Sequence, residues 1–355
     1  MVRMNDELSN KIANIGFVCS ILVVFIHAKT SVDCGSLSWW LVRFVRTIAD
    51  AAIPMFFFIS GFLLVGHCEE NKKWWIMAVG RRIKSLLVPY FCFTLLYILI
   101  LGLRDLCLAS RFGLNPVITP TLQWATMALG LHPCHSVLLG PMWYIRCLFI
   151  FVLISPLFVF VIKKHNKLGY VFAVLAFYAS YVTDSASVNP DVNLIGGFAG
   201  FWGFCFRLYG FGWFLLGMTI RLGGSYCLCI KRCTFAFCAI VGVALVVSQQ
   251  LAPASLQRLA PFVVTPLMIF SLCGLVPGIS WPQILTRNSF AIYCLHFIYL
   301  YVFQCGYKML RIEQYLEGVL GWVCVAVVTS FICIMTAEFI RKRKPLLARF
   351  VLGGR

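Results

Sequence analysis

The chain has 355 residues, of which 61% are hydrophobic and only 12% charged, and its mean hydropathy is +0.90. Soluble domains carry about a quarter charged residues, so this composition excludes an ordinary soluble enzyme and implies a polytopic membrane protein. The net charge of +18 does not imply nucleic acid, because the basic residues cluster between apolar runs and no basic groove interleaved with aromatics accompanies them.

Seventeen cysteines look like a disulfide scaffold only until they are located. Most lie inside apolar runs, where cysteine behaves as a small hydrophobe. Cys227, Cys229 and Cys233 come close together but form no CxxC pair and have no neighbouring histidine, so no metal is expected. Cys34, Cys107 and Cys134 fall in loops on one side and are placed to pair if that side is oxidising.

At roughly 17 to 25 apolar residues per span, about ten segments emerge, and the fold expected is an all-α polytopic helical bundle. They lie near 12–29, 49–66, 85–103, 143–162, 168–183, 208–222, 234–250, 259–277, 289–307 and 316–340. The apolar, Gly- and Phe-rich stretch 195–207 reads as re-entrant or as an extension of the sixth span. About twenty Lys and Arg fall in the termini and one set of loops, against eight in the alternate loops. Both termini are therefore expected on the cytoplasmic side of the cell membrane, with the basic-free loop 184–197 outside. One integral-membrane domain is expected over 1–345, followed by a basic cytoplasmic tail over 346–355. The longest polar connection, 104–142, is long enough to be functional or mobile.

The first segment carries His27 near its far end. Its apolar part exceeds a signal-peptide core and no A-x-A site follows, so it reads as a retained span. An ionisable group inside a membrane usually marks a pathway or a site, and an imidazole moves protons near neutral pH. The alternative is a ring that merely touches the interface. Gly16, Ser20 and His27 share one helical face, which leaves room for a close helix neighbour or for a ligand.

In the second span, PMFFFISGFLL at 54–64 sets Ser60 and Gly61 after a phenylalanine run. The pair suits close helix packing, and Ser60 can also bond a ligand. Next, GRRIKSLLVPY at 80–90 puts Arg81, Arg82 and Lys84 where the third span begins. They serve either as a positive-inside anchor or as a phosphate-binding patch. The fourth span opens with GPMWYIRCLFIF at 140–151. Trp143 and Tyr144 suit an interfacial belt or a sugar-stacking platform. Arg146 is expected at the external end, able to snorkel or to pair with Asp50, which starts the second span on that side. Finally, SFAIYCLHFIYLY at 289–301 places His296 in mid-span, deeper than His27.

Six stretches in order, ILVVFIH, PMFFFISGFLL, RRIKSLLVPY, PMWYIRCLFIF, FGWFLLGM and SFAIYCLHF, resemble the integral-membrane acyltransferase family 3, and the likeness covers nearly the whole chain. Members resemble enzymes that O-acetylate bacterial surface polysaccharides. The resemblance implies a catalytic role for His27, a Ser-Gly pair at Ser60 and Gly61, and a basic RxxR-type motif at Arg81 and Lys84 with Arg82 between. It also implies site roles for Trp143, Tyr144 and His296. It further implies acetyl-CoA or another acyl-CoA as donor, a carbohydrate acceptor, the lipid bilayer as surroundings, and no nucleic acid. A basic residue that the family often has eleven positions before the first-helix histidine is replaced here by Gly16. His27 would lie roughly 16 Å further along that helix. It would act as general base or as acyl carrier, with Ser60, Arg146 or His296 stabilising the oxyanion. Two other readings stand beside this one: a transporter or flippase without covalent chemistry, and a catalytically inactive scaffold.

Overall fold

The computed structural model describes residues 5–68, 73–112, 140–186, 208–224, 240–241 and 254–354. Within them every regular element is helical. Nine of the ten expected spans coincide with helices, and the tenth, 234–250, lies outside the described residues apart from 240–241. The stretch 195–207, most of the long connection before Gly140, and the Cys227–Cys233 group also lie outside them. Among the described residues six helical stretches are long and apolar enough to cross a membrane. Cys34 is a free thiol.

Helix α1 (Asp6–His27) starts where Asn5 caps it, its side-chain oxygen accepting from the Leu8 amide at 2.9 Å, with Asp6 and Glu7 facing the positive end of the helix dipole. It packs against the helices of the second, ninth and tenth spans. Its buried Asn14 donates to the carbonyls of Pro277 and Ile279 at 3.0 and 2.8 Å, which ties it to the segment leading into the ninth span. At the other end, Thr30 and Ser31 both bond the Glu317 carbonyl, joining α1 to the start of the last span.

The second span is longer than hydropathy suggests. Helix α2 (Leu37–Asp50), capped by Ser36 on the Trp39 amide, runs almost directly into α3 (Ala52–Leu64). Arg43, Arg46 and Asp50 interrupt the apolar run without interrupting the helix, so Asp50 sits inside a 28-residue helical stretch rather than at its start.

Helix α4 (Trp74–Arg82) passes through a π-turn, Ile83–Leu87, into α5 (Val88–Phe112). The cause is local. Pro89 has no amide hydrogen to offer the carbonyl four residues back, that of Ser85, and the turn widens there. The basic residues Arg81, Arg82 and Lys84 thus lie on and just before a distorted turn.

Helix α6 (Trp143–Lys164) and α7 (Asn166–Ala186) follow, then α8 (Leu208–Leu222). The α3–α8 contact is the closest in the described bundle. A Cβ on Gly61 would fall 2.0 Å from the Phe214 carbonyl oxygen, and one on Gly217 would fall 2.0 Å from that of Phe58. Two glycines facing each other let these backbones touch, the usual way membrane helices pack without a hydrophobic driving force. Gly61 is therefore a packing residue.

Helix α9 (Ala254–Leu275) and the short α10 (Gln283–Thr286) lead into α11 (Ser289–Leu310), α12 (Glu313–Leu316) and α13 (Val319–Arg343). The α11 start is locked to the α13 end by a charge cluster. Glu338 accepts from Arg287, from Asn288 at 2.7 Å and from Arg341 at 2.8 Å, while Asn288, fully buried, donates to the Ile284 carbonyl and accepts from Arg341. Three cationic or amide donors on one carboxylate compensate its desolvation, so the cluster works as a unit. Helix α14 (Pro345–Val351) then packs back on the bundle through Ala348.

Candidate active site

The two imidazoles meet. The His27 and His296 ring centroids are 5.3 Å apart, and Phe297 stands edge-on to His27 at 5.6 Å. Helices α1 and α11 thus bring the two histidines into direct ring contact. His27 is half-buried, whereas His296 is 0% exposed. The Nδ1 of His296 lies 3.1 Å from the Ile292 carbonyl. A carbonyl only accepts, so this nitrogen carries the proton and Nε2 holds a lone pair, buried and without a partner among the described residues.

One turn before His296, Tyr293 begins a cavity of about 380 Å³. It is lined by Gly16 and Ser20 of α1, Phe56 and Ser60 of α3, Arg82 and Leu86, Tyr144 of α6, and Ser289 and Tyr293 of α11. The hydroxyls of Ser60 and Tyr144 are 3.3 Å apart. Neighbouring residues of α3 thus do separate work: Gly61 touches α8, and Ser60 faces the cavity. A Cβ at Gly16 would meet only Ser289 Oγ, at 4.0 Å, so the missing basic side chain leaves open room.

Trp143 is half-buried and Tyr144 buried at the start of α6. The buried turn Gly140–Met142 sets the start of α6 beside α11, with the Tyr293 hydroxyl donating to the Pro141 carbonyl and Gly140 against Phe297. Tyr144 consequently stacks among Phe57 and Tyr293, at 4.6 and 5.5 Å, and Trp143 leans on Phe57 at 6.1 Å. Arg146, expected at the external end, moves inward with this helix and stands near Tyr90, outside the cavity lining. Asp50 has Arg43 and Arg46 of its own helix as charged neighbours instead of Arg146, and it also lies apart from the cavity.

A second depression, of about 580 Å³, gathers Arg81, Arg82, Lys84 and Ser85 with Leu63, Leu64, Ala78, Gly353 and Gly354. It shares Leu63 and Arg82 with the first cavity. The two spaces are therefore neighbours: the depression is cationic, and the cavity ends at Tyr293, one turn of α11 before His296. Sequence reasoning passes over Ser289 and Tyr293. A signal for them is present, since Ser289, Tyr293 and His296 repeat at four and three residues along one helical face.

A family model described as an acyltransferase domain matches residues 16–338, from the glycine in the cavity wall to the glutamate of the charge cluster. The chain belongs to acyltransferase family 3. No curated protein and no solved structure matches it. As a family 3 member the chain is a multi-pass membrane acyltransferase. The cavity gathers the hydroxyls of Ser20, Ser60, Tyr144, Ser289 and Tyr293 with Arg82 in its wall, and the histidine pair stands one turn of α11 beyond Tyr293.

Proposed function

We propose that this acyltransferase takes a short acyl group, acetyl above all, from cytoplasmic acyl-CoA and places it on a hydroxyl of a cell-envelope or exported carbohydrate. The observation that carries the reading is the adjacency of a cationic depression and a cavity that ends at Tyr293, with Leu63 and Arg82 in the wall of each. Acyl-CoA has its phosphates at one end and its thioester on a long uncharged arm. Arg81, Arg82 and Lys84 suit the phosphates; the largely apolar cavity suits the arm. The excess of Lys and Arg at this end favours the cytoplasmic face of the cell membrane, with both termini on that side.

The acceptor hydroxyl oxygen attacks the thioester carbonyl while His27 takes its proton as general base. Collapse of the tetrahedral intermediate forms the ester, breaks the C–S bond and releases the CoA thiolate, which takes the proton back from His27. His296 has its Nδ1 proton committed to Ile292, so it offers His27 a ring contact and no N–H for the oxyanion. That leaves the hydroxyls of Ser60 and Tyr144 to face the developing oxyanion, while Arg146 lies outside the cavity lining. Trp143, at the start of α6 beside the cavity residue Tyr144, offers an aromatic face to the sugar, whereas Asp50 lies apart from the cavity.

Membranes holding the full chain, given acetyl-CoA labelled in the acetyl group together with candidate polysaccharides, should transfer label into an alkali-labile ester. Label remaining on CoA with every acceptor would contradict the reading and favour transport without chemistry. Arg81→Ala combined with Lys84→Ala should raise the donor KM by roughly tenfold at low salt and by less at high salt. An unchanged KM would reduce the cluster to a topology anchor.

A further inference from the structure

We infer that Gly353 and Gly354 form one wall of the donor's phosphate site, so that position 354 sets how much negative charge the site accepts; this rests on the acyl-CoA reading above. Helix α14 returns across the basic end of the bundle, with Ala348 and Leu352 buried against Ala291 and Ala337. The chain leaves it through Gly353 and Gly354, whose φ angles are +69° and +74°. Both are left-handed, a region open to glycine and costly for most other residues. At Gly353 a second constraint applies: a Cβ would lie 2.6 Å from the Ser85 carbonyl oxygen and 3.0 Å from its Cα.

Ser85 sits in the π-turn that Pro89 holds open, next to Lys84. The widened turn and the glycine thus bring the segment onto the same backbone that carries the cations. The result is one depression walled by Arg81, Arg82 and Lys84 and by Gly353 and Gly354. Position 354 differs from 353, because a Cβ there would meet nothing within 4 Å. A side chain at 354 enters open space in the depression and disturbs no packing.

Gly354→Asp and Gly354→Asn provide the test, since both side chains tolerate left-handed backbone comparably and differ in charge alone. Coenzyme A would be titrated into the detergent-purified full chain at low and at high salt. Gly354→Asp should bind it about three- to tenfold more weakly than Gly354→Asn at low salt, with the gap closing at high salt. Pantetheine, which lacks the phosphates, should bind the two variants alike, and their thermal unfolding should coincide. Equal coenzyme A affinities, in a protein whose binding Arg81→Ala with Lys84→Ala does weaken, would overturn this inference alone. Coenzyme A binding that is indifferent to the double alanine variant as well would overturn the acyl-CoA reading and this inference with it.

Discussion

Replacing His27 with alanine should lower acyl transfer by about 10²- to 10⁴-fold, the range a positioned general base contributes, while leaving coenzyme A affinity nearly unchanged. The geometry separates the two quantities. His27 lies outside the cationic depression and outside the lining of the cavity, in contact with His296, which stands one turn of α11 beyond the cavity residue Tyr293. Its removal takes away the proton acceptor and not the donor's binding surface, so kcat should fall with donor KM held. Steady-state rates with labelled acetyl-CoA, beside coenzyme A titrations of the same preparation, read both. Because the base role forms no bond to the imidazole, no acyl group should accumulate on the protein when the acceptor is withheld. Transfer by His27→Ala equal to that of the unaltered chain would remove the catalytic assignment.

The second large effect is expected at Gly61, and it is one of folding. A single methyl group there would stand 2.0 Å from a backbone oxygen of α8. Backbone cannot rotate aside as a side chain can, so α3 and α8 must separate along their closest contact. Overpacking of this kind costs about 1–3 kcal/mol or more. Gly61→Ala should therefore lower the thermal unfolding midpoint in detergent and reduce the amount of folded protein recovered. Ser60→Ala, one residue earlier, removes only a 3.3 Å contact with the Tyr144 hydroxyl and should leave the unfolding midpoint close to that of the parent. Equal midpoints for Gly61→Ala and Ser60→Ala would contradict the described α3–α8 packing.

Most of the bundle is legible in hydropathy, because the cost of exposing backbone to lipid forces each apolar run of sufficient length into a helix. The match of 208–222 to Leu208–Leu222 and of 143–162 to Trp143–Lys164 follows from that single constraint. The same measure misses α2, since Arg43, Arg46 and Asp50 lower the local hydropathy while the helix continues through them. Depth is harder still. Nothing in the sequence around 140–151 says that α6 begins beside Tyr293; a buried turn and one hydrogen bond to Pro141 decide it. That placement puts Tyr144 in the cavity wall instead of in a surface belt.

Of the site, the ionisable and small residues are readable because they are anomalies in an apolar chain. His27, His296 and the Gly16–Ser20 face stand out in this way. Tyr293 does not, being one of 13 tyrosines in an aromatic-rich chain, although its spacing to His296 is there to be counted. The juxtaposition of Gly353 with Ser85 joins positions far apart in the chain through a widened turn, and no local pattern announces such a contact.

The central claim is that the cationic depression and the cavity beside it, which ends at Tyr293, receive one donor molecule. A structure determined with coenzyme A bound to the full chain tests it most directly. The account predicts the phosphates among Arg81, Arg82 and Lys84, with the arm passing Leu63 and the sulfur held between Ser60 and Tyr293, facing the His27–His296 pair. Coenzyme A bound elsewhere, or bound at the depression with its arm turned away from the cavity, would contradict it.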